Sequence, residues 1–153
     1  MKHHSPPLAD MPGMWRRSLL IQADGVRDSS SQVRWLQAKR LFVDLRQGAA
    51  LPDFLKLRCL NDLGMEDCAQ LAAQEGFAGR FGRSGEYFEW QRWIDFQPRS
   101  LLADAGRLWW EDGMLIETGR DVPYVEHWMH DPTVVTRPLA TASAPTCSAP
   151  DPW

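Results

Sequence analysis

Residues 86–98 read EYFEWQRWIDFQP, and this stretch decides the fold class. Its even positions are Phe88, Trp90, Arg92, Ile94 and Phe96, four of the five apolar. Side chains alternate between faces along a β-strand, so a period of two marks a strand with one face in a core. Pro98 cannot donate to a sheet ladder and ends the run.

The chain on either side repeats the pattern. GRLWWEDGMLIETG (106–119) predicts a hairpin, because Asp112-Gly113 sits between two apolar runs and adopts tight-turn conformations readily. VPYVEHWMH (122–130) supplies a further strand with Tyr124, Glu126 and Trp128 on one face. Toward the N-terminus, MWRRSLLIQ (14–22) places Trp15, Arg17, Leu19 and Ile21 on one side, and Asp24-Gly25 offers a turn. VRDSSS (26–31) reads as a polar loop. QVRWLQ (32–37) sets Val33 and Trp35 on one face; RLFVDLR (40–46) sets Leu41, Val43 and Leu45 against Phe42, Asp44 and Arg46. GFAGRFG (76–82) is extended chain.

Residues 52–75 differ. They are rich in Leu, Ala, Gln, Glu and Asp and contain no Val, Ile or Thr. The spacing predicts one or two short helices, capped by Asp62 or Asn61, with Glu66 and Asp67 near the positive end and Gly76 closing the segment.

The expected fold is therefore all-β and mainly antiparallel: a barrel of about eight strands with a short helical insertion. Closure removes the sheet edges that invite aggregation. Residues 1–13, with Pro6, Pro7, Pro12 and Gly13, read as a loose leader. Residues 14–130 form the barrel domain, and 131–153, rich in Pro, Ala, Ser and Thr, form a loosely ordered tail.

Composition narrows the function classes. The 153 residues fit one domain, and 44% hydrophobic residues suffice for a core. A formal net charge of −3, with no basic run longer than a pair such as Arg16-Arg17, argues against sequence-independent nucleic-acid binding. No stretch approaches the ~20 apolar residues that span a bilayer. Cys59, Cys68 and Cys147 form no CxxC or disulfide framework, so reduced thiols and a cytoplasmic location are expected. GxSxG, P-loop and GxGxxG motifs are missing, so no cofactor and no catalytic residue is assigned. His127 and His130, three apart on a strand, point to opposite faces and do not converge on a metal.

Taken together, MWRRSLLIQADG, QVRWLQ, LFVDLR, LAAQEGFAG, EWQRWIDFQP, a DxGRL hairpin with ETG, and YVEHW resemble an uncharacterised bacterial family. That family is related to a fungal partner of a casein-kinase-like enzyme, described as two calycin-like barrels. The resemblance covers residues 14–130 and implies a calycin-like (lipocalin-like) barrel with no established activity. Related chains continue with further strands after the YVEHW-like segment. This one runs into the Pro/Ser/Thr tail, which puts a second barrel in doubt.

Arg92 is the most informative anomaly, a guanidinium in a row expected to face inward. A buried guanidinium demands pairing. Glu126, between Tyr124 and Trp128, and Glu117, after Met114–Ile116, are the complementary acids. The alternatives are that Arg92 holds the head group of a small hydrophobic or anionic ligand, that it forms an internal salt bridge to Glu126 or Glu117, or that the register turns it to water. Trp35, Trp90 and Trp128, with Tyr124, either line an apolar cavity or fill the core. The function expected first is binding of a small apolar or amphipathic ligand in the barrel. The second is a non-enzymatic scaffold, solidly packed, that docks a protein partner. An enzyme using Arg92 and interior carboxylates ranks last.

Overall fold

The computed structural model describes residues 4–49 and 57–133. Nine strands form one antiparallel sheet: β1 (Gly13–Gln22), β2 (Arg27–Asp28), β3 (Gln32–Gln37), β4 (Leu41–Gln47), β5 (Glu75–Ser84), β6 (Tyr87–Asp95), β7 (Ala105–Glu111), β8 (Met114–Gly119) and β9 (Tyr124–Asp131). The order is β2-β1-β3-β4-β5-β6-β7-β8-β9, and β1 also pairs with β9. Neighbours in sequence are neighbours in the sheet, so eight strands close an up-and-down barrel with β2 appended to β1. This is the all-β barrel expected. The only unforeseen strand is β2, two residues long, within the polar 26–31 segment.

The two ends differ. Residues 38–40, 85–86 and 112–113 close one end with tight turns. Asp112 and Gly113 both have positive φ (49° and 78°), the twist a two-residue hairpin needs. Residues 23–31, 48–49 with 57–74, 96–104 and 120–123 lie in longer connections at the other end. The one α-helix among the described residues, α1 (Met65–Ala72), lies between β4 and β5, after a 3₁₀ turn at Leu60–Asp62. Gly64, not Asp62 or Asn61, is its N-cap. The Gly64 N–H donates to Asp67 at 2.9 Å, while Asp62 accepts from the backbone of Arg58 and Cys59. Gly76 lies inside β5 rather than closing the helix. The first part of the helical reading, residues 52–56, and the tail beyond Thr133 lie outside the described residues.

The core sits toward the tight-turn end and is aromatic. Trp15, Trp35, Phe42, Phe81, Phe88 and Trp128 are buried with Leu108 and Leu115. Residues 4–13 do not behave as a loose leader. Met11 is fully buried in this core and its carbonyl accepts from Trp15 Nε1 at 2.9 Å. A 3₁₀ turn at Leu8–Asp10 brings it there, and the His4 carbonyl accepts from the Trp110 N–H. An unbranched thioether fills an irregular gap well, so Met11 plugs this end of the barrel.

Two bulges break the period-two reading. On β1 the register shifts between Arg17 and Leu19. On β6, Gly79 faces Arg92 and Ala78 faces Ile94, leaving Trp93 unopposed. Beyond that point inside and outside exchange. Ile94 and Phe96, expected inside, are 65% and 66% exposed, and the Asp95 side chain, out of phase with that row, turns in. A Cβ at Gly79 would lie 1.9 Å from the Gln91 carbonyl, so only glycine fits this bulge. We expect Gly79→Ala to cost about 1–3 kcal/mol, read from the urea midpoint.

Candidate functional site

At the long-loop end the lumen changes from aromatic to charged, because the inward positions of successive strands are charged there. β1 contributes Arg17, β4 Asp44 and Arg46, β6 Arg92 and Asp95, β8 Glu117, and β9 Tyr124 and Glu126. Asp104 precedes β7 and Asp28 comes from β2.

These groups form three connected nodes. Arg17 Nη1 donates to Glu126 Oε1 at 2.7 Å and Nη2 to Asp28 Oδ2 at 3.0 Å. Arg46 Nε donates to Asp44 Oδ1 at 2.9 Å, and its Nη1 lies 3.5 Å from Glu126 Oε1. Arg92 donates from Nε and Nη2 to Asp104 Oδ2 at 3.0 and 2.7 Å, and from Nη1 to Asp95 Oδ2 at 3.1 Å. The Arg92 guanidinium also lies over the Phe77 ring, 3.4 Å from its centroid, with Arg46 at 5.0 Å from the same centroid. Such pairs offset desolvation only with good geometry and further hydrogen bonds, and these have both.

Glu117 stands apart. It lies directly across from Glu126 on adjacent strands and is buried. Its Oε1 accepts from the Tyr124 hydroxyl at 2.6 Å and its Oε2 from Trp128 Nε1 at 3.0 Å. Burial, reinforced by the negative Glu126, pushes its carboxyl well above the usual range. Burial also raises Asp44, against the pull of Arg46. Asp28 moves the other way: burial opposes, but hydrogen bonds from Ser31 and Ser30 hold its carboxyl well below the usual range.

Two cavities open among these groups. One of about 320 Å³ is bordered by Leu20, Arg46, Arg92, Asp104, Tyr124 and Glu126. The other, of about 470 Å³, shares Arg92, Asp104, Val122 and Tyr124 with it and adds Trp90, Asp95, Arg99 and Leu102. Of the expected site residues, Arg92, Trp90, Tyr124 and Glu126 thus border cavities. Trp35, Trp128 and Glu117 border neither. Trp35 and Trp128 pack in the core, with ring centroids 5.5 Å apart, and Glu117 is bonded to Trp128 behind Tyr124.

The partner expected for Arg92 also differs. It bonds to Asp104 and Asp95, while Arg17 and Arg46 take Glu126. The β6 bulge causes this by turning Asp95 inward. Sequence reading passed over Arg17, Asp44, Arg46 and Asp104. A signal existed for three of them: Arg17 shares a row with Trp15, and Asp44 and Arg46 with Phe42. Asp104 lies in an irregular loop with no period to read.

No helix among the described residues is long and apolar enough to cross a membrane. Comparison of the chain with family models, curated proteins and solved structures finds no match.

Proposed function

We propose that the barrel binds a small amphipathic molecule at its long-loop end, with the polar end of the ligand against Arg46 and Arg92. The supporting observation is that both guanidinium groups border one cavity of about 320 Å³. Each guanidinium has five N–H donors. The hydrogen bonds among the described residues leave donors over on both. Leu20, Val122 and Pro123 offer the apolar wall. The aromatic core fills the opposite end, so the ligand enters the polar half only and is short. The family resemblance implies a calycin-like barrel and no established activity, so the ligand-binding reading rests on the cavity and its lining.

The test is tryptophan fluorescence with a panel of short and long fatty acids, on wild type and Arg92→Ala. Trp90 borders the neighbouring cavity and is the reporter. Short-chain acids should quench saturably, and Arg92→Ala should abolish this. Arg92 is about one-third exposed, and its loss leaves Asp95 unpaired, so we expect a stability cost of about 1–3 kcal/mol. Quenching that survives Arg92→Ala, or follows chain length alone, would overturn the assignment.

A second reading, a scaffold that docks a protein partner, draws on the outer face. Leu41, Val43 and Leu45 of β4 and Ile94 and Phe96 beyond the β6 bulge are all exposed. Leu45 and Phe96 both approach Gly76 between them, so the row is continuous across three strands. A Leu45→Asp, Phe96→Ser variant that lost a pulled-down partner while retaining ligand quenching would favour the scaffold.

A further inference from the structure

A second charged region lies near the tight-turn end, away from the polar lumen. Lys39 and Arg40 occupy the turn between β3 and β4, and Arg80 and Arg83 lie on β5. With Glu89 and Gln91 of β6 they border a groove of about 590 Å³. The strand ladder holds them together: Leu41 pairs with Arg80, and the Phe81 N–H donates to the Arg40 carbonyl at 2.8 Å. Four cations face one carboxylate in a chain whose formal net charge is −3.

These cations differ from those of the lumen. Arg17, Arg46 and Arg92 are all ion-paired there, whereas no ion pair to Lys39, Arg40, Arg80 or Arg83 is present among the described residues. Arg83 is held in place by donating from Nε to the Gly85 carbonyl and from Nη1 to the Pro6 carbonyl. Like charges on neighbouring strands repel, so the cluster costs stability unless an anion bridges it. Gly82 lies between Arg80 and Arg83, and a Cβ there would meet nothing within 4 Å, so the groove is open above the backbone.

We propose that this groove binds a compact, multiply charged phosphate group. Arginine forks grip phosphate oxygens in pairs, and a single carboxylate ligand would neutralise too little of the charge. Arg80 and Gly82 share the outer face of β5, and Arg83, out of phase with them, reaches the groove from the barrel mouth, where its guanidinium lies over the Phe88 ring.

The test is calorimetric titration of the whole chain at about 0.15 M ionic strength, where diffuse surface attraction is screened. The probes are inorganic pyrophosphate and adenosine diphosphate. Wild type should bind pyrophosphate saturably at one site. Arg40→Gln with Arg80→Gln should weaken binding about tenfold or more, which is 1.4 kcal/mol or more. Gly82→Leu keeps every charge but fills the groove, and should weaken binding comparably. All the altered residues face solvent or open space, and far-ultraviolet circular dichroism verifies that the variants are folded. Tighter binding of adenosine diphosphate than pyrophosphate would identify a nucleotide as the source of the phosphates; equal binding would mean that the phosphates alone are read. The proposal is overturned if wild type shows no saturable binding, or if Gly82→Leu binds as wild type does.

Discussion

Substituting Gln for Glu117 is expected to flatten the pH dependence of stability above pH 5. Glu117 is buried, opposite Glu126, and its carboxyl lies well above its ordinary value of 4.5. Below about pH 4.5 both folded and unfolded chains carry this proton, and the group has no effect on the balance. At higher pH the unfolded chain releases the proton while the folded chain retains it. The folded state then binds more protons, so stability falls by about 1.4 kcal/mol per pH unit until Glu117 itself ionises. Glutamine reproduces the protonated acid: its carbonyl accepts from Trp128 Nε1, and its amide donates to the Tyr124 oxygen. Urea midpoints from pH 5 to 8 should therefore show Glu117→Gln gaining steadily on wild type. Parallel curves would mean that Glu117 is ionised in the fold. Asp44 and Asp28 are present in both proteins and cancel from the difference.

Trp35→Ala is expected to carry the largest cost of any single core change. Trp35 is fully buried and packs on four aromatic rings, those of Trp15, Phe81, Trp90 and Trp128, at centroid distances of 5.4–5.8 Å. Its Nε1 donates to Gln37 Oε1 at 3.0 Å, and Gln37 in turn donates to the Ala38 carbonyl. Truncation opens a cavity among rings fixed on four other strands, which have little freedom to collapse. We expect a loss of about 3–5 kcal/mol in urea unfolding, with part of it from the orphaned Gln37 oxygen. Trp35→Phe should cost less, because it keeps most of the apolar volume. A loss below about 1 kcal/mol for Trp35→Ala would place the packing centre elsewhere.

Trp35 and Ile94 show how far periodicity carries. Both were assigned a face by alternation. For Trp35 the assignment holds, because β3 pairs without interruption with β4. For Ile94 it fails, because one unopposed residue at the β6 bulge reverses every face beyond it. Nothing in EYFEWQRWIDFQP announces that bulge. Its cause lies on β5, where Gly79 allows the Gln91 carbonyl to come close. Met11 is a similar case: in a proline-rich stretch it has no period, and its burial depends on a space that exists only once the barrel has closed.

The barrel is legible in the chain before any fold is known, since alternation, Asp-Gly turns and a helix-forming insertion are local properties of each segment. Alternation also puts Arg92 in the row of Phe88 and Trp90, and Glu126 in the row of Trp128. Which charge meets which is settled across strands. Arg92 goes to Asp104 and Asp95 and leaves Glu126 to Arg17 and Arg46. Register and turns also bring Lys39, Arg40, Arg80 and Arg83, which make no ion pair among the described residues, to one groove. The physical reason is common to both: ion pairing and charge clustering depend on distances across strands, and these are set by register, bulges and loop paths, which no single strand encodes.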